Sequence, residues 1–267
     1  MNKNKQIIGF VDQTYCDKNA SPKILAKRNH KNEITIPAKR IHQTAMGFQA
    51  INGESFIFFP ENSRSHNMML FVVEIRKKNL SNKDIIQYID CAINDSSVKR
   101  EIMVGKFNIQ SMGEKQLSEM IKNFGETKGY KKTFSKAVNN MIYKENKDDE
   151  FAIDALIRFE LLDNLECMNI RGLMEDEKEI VIILDNYRPH HNTEFKKFCE
   201  LLKIKLIYLP SYTPQYNPIE QVWKSIKRFI YDPTITNSEE LISIFEEEYY
   251  RIIYNKSFYE KWVEKFL

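Results

Sequence analysis

Three acidic residues stand where this chain has the means for metal-assisted chemistry: Asp12, Asp185 and Glu220. Asp12 closes the apolar run IIGFV (residues 7–11) and Asp185 closes IVIIL (180–184). Both runs read as short buried strands, so each carboxylate is expected at the C-terminal end of a strand. In open α/β sheets ligands bind at that edge, because the loops leave the sheet there with free polar groups. On neighbouring strands two such carboxylates repel each other unless a cation lies between them. A few hard oxygen donors suit Mg²⁺ or Mn²⁺. Either Asp alone also has an ordinary reading, as the residue that opens a turn.

Glu220 has two local readings. In Asn217-Pro218-Ile219-Glu220, Asn217 suits a helix N-cap and Pro218 the first helical position, which puts Glu220 where it would close a capping box. Alternatively, Glu220 is a metal ligand beside a phosphate-binding strip, because Lys224, Lys227 and Arg228 share its polar face. Simple i,i+4 ion pairing on a solvated face accounts for the same pattern. Ile219, Val222, Trp223, Ile226 and Ile230 form the apolar stripe, which makes Trp223 a core residue rather than a base-stacking one. His190, and with less claim His191, follows Asp185 closely, either as a helix-entry surface residue or as an outer-shell or DNA contact.

The elements that must position these residues alternate in type. A Lys-, Asn- and Arg-rich polar stretch follows Asp12. Residues 44–50 and 55–59 then read as two strands around Asn52-Gly53, a strong hairpin signal. The apolar run 68–75 (MMLFVVEI) fits a strand or a helix, and its β-branched Val72 and Val73 favour a strand. Residues 81–146 are Lys-rich and helix-friendly, interrupted by Gly105, Gly113, Gly125 and Gly129. Within them KGYKKTFSKAVNN has the charge for a DNA-binding arm or a dimer contact, though most charge runs are only solvated surface. Residues 151–170 read as an amphipathic helix, 193–202 as a helix and 205–209 as a strand. A proline-rich elbow (210–218) leads into a long helix near Ile219, and the tail after Asn237 reads as helical. This order predicts an α/β domain with a mixed sheet.

Composition limits the function classes. The 267 residues suffice for one substantial domain, and the net charge of +3 is too small to imply a nucleic-acid partner by itself. No apolar run approaches the roughly 18 residues of a membrane span. MNKNKQ leads straight into a strand-like run, so no secretory segment is expected and the expected location is cytoplasmic. Cys16, Cys91, Cys167 and Cys199 are scattered, which argues against a zinc site or a disulfide framework.

The segments VIILDNYRPHH and LIYLPSYTPQYNPIEQVWKSIKRF resemble the DDE domain of mariner-like transposases, in particular the bacterial and archaeal insertion-sequence branch. The likeness lies in a strand ending Leu184-Asp185-Asn186 with His190 soon after. It continues through Leu209-Pro210, the Tyr212-Thr213-Pro214 elbow and Asn217-Pro218-Ile219-Glu220 opening a helix with Trp223 and the basic pair Lys227-Arg228. FVDQ resembles the family's first catalytic strand, with Gln13 where an acidic residue is common, and Ala45-Met46-Gly47-Phe48 fits the hairpin after it.

This resemblance implies a ribonuclease-H-like mixed sheet flanked by helices, built from residues 1–80 and 147–267. Residues 81–146 would be a mainly helical insertion before the strand that bears the second Asp. It implies cleavage and strand transfer of DNA, both transposon ends and target. Two divalent ions, Mg²⁺ or Mn²⁺, would be held by Asp12, Asp185 and Glu220. It gives Asn186, His190, Lys224, Lys227 and Arg228 outer-shell or DNA-contact roles, and it implies a homodimer associated with the nucleoid. Members usually carry helix-turn-helix domains before the first Asp, whereas eleven residues precede Asp12, so end recognition is expected from a separate helix-turn-helix subunit. A different ribonuclease-H-like nuclease, such as a junction resolvase, and a non-catalytic DNA-binding derivative are the competing readings.

Overall fold

In the computed structural model, residues 6–17, 41–94, 150–230, 235 and 237–255 are described, with side chains at 150–153, 155 and 156 left aside. They fall into two compact units. The first comprises residues 1–63, 180–186 and 206–267, the second 64–179 and 187–205. Most of the Lys-rich region, including KGYKKTFSKAVNN, lies outside the described residues.

The first unit is organised by a five-stranded mixed sheet of order β3-β2-β1-β4-β5. Its strands are β1 (Gln6–Asp17), β2 (His42–Ala50), β3 (Phe56–Phe58), β4 (Glu179–Leu184) and β5 (Ile204–Tyr208). β1 and β2 are antiparallel, with Asp12 opposite Gly47 and Thr14 opposite Ala45, and β3 adds to β2 with Ile57 opposite Gly47. The hairpin residue Asn52 closes the far end of β1, accepting from Ile8 N (2.7 Å) and donating to Gln6 O (2.9 Å). Two helices, α6 (Ile219–Ile226) and α7 (Ser238–Ile253), pack in the same unit. Their buried stripes meet Cys16, Ala45 and Ile57 in one apolar core. Tyr249 of α7 donates its hydroxyl to Phe48 O (2.8 Å), which fastens the helix to β2.

The second unit is helical: α1 (Ser65–Lys78), α2 (Ile85–Asn94), α3 (Glu150–Cys167), the single turn α4 (Ile170–Leu173) and α5 (Thr193–Leu201), with a 3₁₀ turn at Arg188–His191 before α5. Arg76 is fully buried there, and its guanidinium donates to Leu202 O, Lys178 O and Lys203 O at 2.7–2.8 Å. Those bonds offset the cost of burying the charge.

Three expectations change. The run 68–75 is helix, not strand: Met68, Met69, Phe71, Val72, Val73 and Ile75 are buried and only Leu70 and Glu74 are partly exposed, so the run is almost as continuously apolar as a strand buried on both faces. β1 does not stop at Asp12 but continues to Asp17, because β2 pairs with it along that whole length. The helix after the elbow is short. Beyond Ile226 the chain tightens into Arg228 N→Ser225 O and Phe229 N→Ile226 O bonds, and this keeps Ile230 in the core. Among the described residues no helix is long and apolar enough to cross a membrane.

Candidate active site

All three acidic residues belong to the first unit. Asp12 lies in the middle of β1 and is 8 % exposed. Asp185 directly follows β4, the strand beside β1 in the sheet, and is half-buried. Glu220 lies in the first turn of α6, also half-buried. The Asp12 carboxyl is pushed up to about 8, first by its burial and then by the negative charge of Glu220, with Asp185 adding in the same direction. The Gln13 backbone amide and the Trp223 indole pull the other way without compensating. Asp12 therefore feels both of the other acids, and among the described residues no cationic side chain figures among its perturbing neighbours.

The helix that carries Glu220 is not closed by a capping box. No side chain caps the start of α6. Asn217 instead donates through Nδ2 to Val11 O (3.1 Å), the residue before Asp12 on β1. Its Oδ1 is buried with no hydrogen-bond partner among the described residues. Trp223, two turns from Asn217, donates through Nε1 to Asp12 Oδ2 (3.0 Å). Sequence reasoning placed Trp223 in the core, where it is, and missed this bond. The available signal was Gly47: a glycine inside a strand marks a close approach. A β-carbon there would come within 2.5 Å of Trp223 Cη2.

The end of β4 is tied to the elbow. Leu209 N donates to Leu184 O (2.8 Å), and Asn186 Nδ2 donates to Leu209 O (2.5 Å) on the far side of Asp185. Asn186 thus steadies the chain around Asp185. The elbow itself is held by Thr213 Oγ1 donating to Pro210 O (2.6 Å), with Tyr212 at φ 60° and wholly exposed. Of the basic residues on α6 and just after it, Lys224 and Arg228 are exposed. Lys227 is half-buried, and its charge reaches Cys16, whose thiol burial pushes up to about 12 while Lys227 draws it back. His190 belongs to the second unit, where it is buried with its ring edge-on to Tyr187 and tilted against Phe195.

A buried carboxylate whose ionisation two neighbouring acids oppose offers, with them, a donor set for a cation. The oxygen-only chemistry fits a hard divalent ion, and the buried Asn217 Oδ1 is a further acceptor that no donor among the described residues satisfies. Among the described residues, no three His, Cys, Asp or Glu side chains are gathered closely enough to chelate an ion as they stand.

Residues 162–242 match the family described as DDE superfamily endonuclease, a span that includes Asp185 and Glu220. The chain is also similar to a chain in the structure titled "Crystal structure of a pre-cleavage Mos1 transpososome", with a TM-score of 0.42 and 8 % identity over 98 % of this chain and 55 % of that one. The chain thus spans about half the length of that solved chain. No curated protein matches the sequence.

Proposed function

We propose that the chain is the catalytic domain of a mariner-like DDE transposase, with a ribonuclease-H-like core, that cleaves DNA strands and joins them to a target. The observation that most supports this is Asp12: a carboxylate buried in mid-strand whose charged neighbours in the site are the acids of β4's end and α6. Burial and like-charged neighbours both oppose its ionisation, and a cation beside it would relieve both. Asp12, Asp185 and Glu220 would hold two divalent ions, Mg²⁺ or Mn²⁺. When bound, the ions would activate water or a DNA 3′-hydroxyl for in-line attack and stabilise the leaving oxygen. The protein's part is placement. Asp12 is fixed by the strand pairing on either side of it, Asp185 by the Asn186–Leu209 tie, and Glu220 by the bonds from Asn217 and Trp223 to β1. The exposed Lys224 and Arg228 are suited to phosphate contacts. Joining two transposon ends calls for two such sites, so a homodimer is the proposed assembly.

The test is Mg²⁺- or Mn²⁺-dependent cleavage and joining of a labelled transposon-end duplex by the full chain, with and without an added helix-turn-helix subunit. Cleavage followed by joining, both lost in Asp185→Asn, is the expected outcome. Nicking that survives in Asp185→Asn contradicts the assignment of the site. Cleavage with no joining points to another ribonuclease-H-like nuclease, such as a junction resolvase.

A further inference from the structure

Trp223 does more than fill the core. Its ring is 2 % exposed, stacked on Tyr249 (centroids 5.7 Å apart, 24° between planes) and tilted against Phe245 at 5.8 Å. Beneath it lies Gly47, where a β-carbon would come within 2.8 Å of Trp223 Cζ2 and of Ile219 Cδ1. Gly47 is also the residue opposite Asp12 in the β1–β2 register. The absence of a side chain at 47 lets the indole come down beside the strand pair, with Nε1 3.0 Å from Asp12 Oδ2. Three residues before Glu220, Asn217 donates to Val11 O; three residues after it, Trp223 donates to Asp12. Glu220 is thus bracketed by two hydrogen bonds from its own segment to adjacent residues of β1.

We propose that Trp223 is a positioning residue: its indole N–H engages Oδ2 of Asp12 and holds the carboxylate in one rotamer for a metal ion, while the Asn217–Val11 bond sets Glu220 in register with it. This role rests on the reading of Asp12 and Glu220 as metal-holding residues. Packing alone does not call for it. An apolar aromatic ring would satisfy Tyr249 and Phe245 equally well, whereas only a donor reaches Oδ2. Asp12 cannot adopt another rotamer without breaking this bond inside a buried site, where an unmade hydrogen bond is costly. Gly47 belongs to the same device, because any larger residue there displaces the ring.

The experiment has two arms on the full chain. In the first, the tryptophan indoles are ¹⁵N-labelled. The chain has two tryptophans, so two indole N–H signals are expected, and their assignment follows from Trp262→Phe, which removes the other signal. The Trp223 signal should exchange slowly with solvent and move on Asp12→Asn; a signal that Asp12→Asn leaves in place overturns the proposal. In the second arm, Mn²⁺ binding is measured by calorimetry. Trp223→Phe should bind about tenfold more weakly than the wild type, the lower end of what partners behind a metal ligand usually contribute. Thermal unfolding of the same samples shows that the variant is folded. If Trp223→Phe does not fold, the first arm decides alone. Equal Mn²⁺ affinity in the wild type and Trp223→Phe removes the role of Trp223 and leaves the metal reading intact. A wild-type chain that binds no Mn²⁺ removes both.

Discussion

Asp12 and Asp154 are buried almost equally, 8 % and 7 % exposed, yet their surroundings drive them in opposite directions. Burial raises both. At Asp154, in the helical unit, it is outweighed. His66 donates to Oδ1 through its backbone N (3.0 Å) and its Nδ1 lies at 2.8 Å, while Arg158 Nε reaches Oδ2 at 2.9 Å. Arg158 also reaches Glu194 Oε2 at 3.1 Å, and Asp154 ends below its ordinary value. At Asp12, in the sheet unit, the charged neighbours are Glu220 and Asp185, and the carboxyl ends at about 8. One acid is complete within the fold. The other has been given hydrogen-bond donors and, among the described residues, no countercharge. A buried acid with internal cations reads as structure; a buried acid among acids reads as a site for something the chain does not itself supply.

The comparison can be broken at its structural end first. Arg158→Ala would leave Asp154 and Glu194 buried without their guanidinium, and removing one partner of a buried ion pair typically costs about 3–5 kcal/mol. Denaturant unfolding should show that loss, with Mn²⁺ affinity unchanged. A loss below about 1 kcal/mol, the scale of an exposed pair, would mean that the network is not what completes Asp154.

The functional end responds to pH. The folded value of Asp12, about 8, lies above the ordinary 3.8, so the metal-free fold keeps a proton that the unfolded chain has released. The stability it contributes is fully present below 3.8 and is lost as pH rises through about 8. Metal-free Asp12→Asn, which has no proton to lose, should melt several degrees above the wild type at the alkaline end of that window, and the gap should shrink toward its acid end. A gap independent of pH would show that Asp12 ionises as freely in the fold as outside it.

The smallest effect calibrates the other two. Asn237 caps α7 by accepting from Glu240 N at 2.7 Å in an exposed position, and Asn237→Ala should cost about 1 kcal/mol at every pH and metal concentration. A pH-dependent loss there would mean that the dependence assigned to Asp12 is a property of the whole chain.

The sequence made the strands legible wherever an apolar run was short and bounded. Residues 180–184 became β4 with one residue added, and Asn52-Gly53 marked the β2–β3 turn correctly. It misled at 68–75, since burial over most of the helix surface leaves only Glu74 as a polar residue in the run, too little to separate helix from strand. It also misled at Asp12, where pairing with β2 carries β1 past the polar residues that suggested its end. The acids themselves were visible by type and position. Their coupling was not, because Asn217 reads as a helix cap and Trp223 as plain core until the fold lays both against β1. The Asp154–His66–Arg158–Glu194 network was invisible for a related reason: His66 and Glu194 lie far from Asp154 in sequence, and only folding brings them to it.

The most direct measurement is thermal unfolding of the wild type, Asp12→Asn, Asp185→Asn and Glu220→Gln at alkaline pH across a Mn²⁺ titration. If the three acids form a cation site, the wild type gains stability with metal, about 2.7 kcal/mol at a hundredfold excess over its dissociation constant, and the three variants lose most of that gain. A wild type that Mn²⁺ leaves unmoved, or a gain shared equally by all four proteins, would contradict the account.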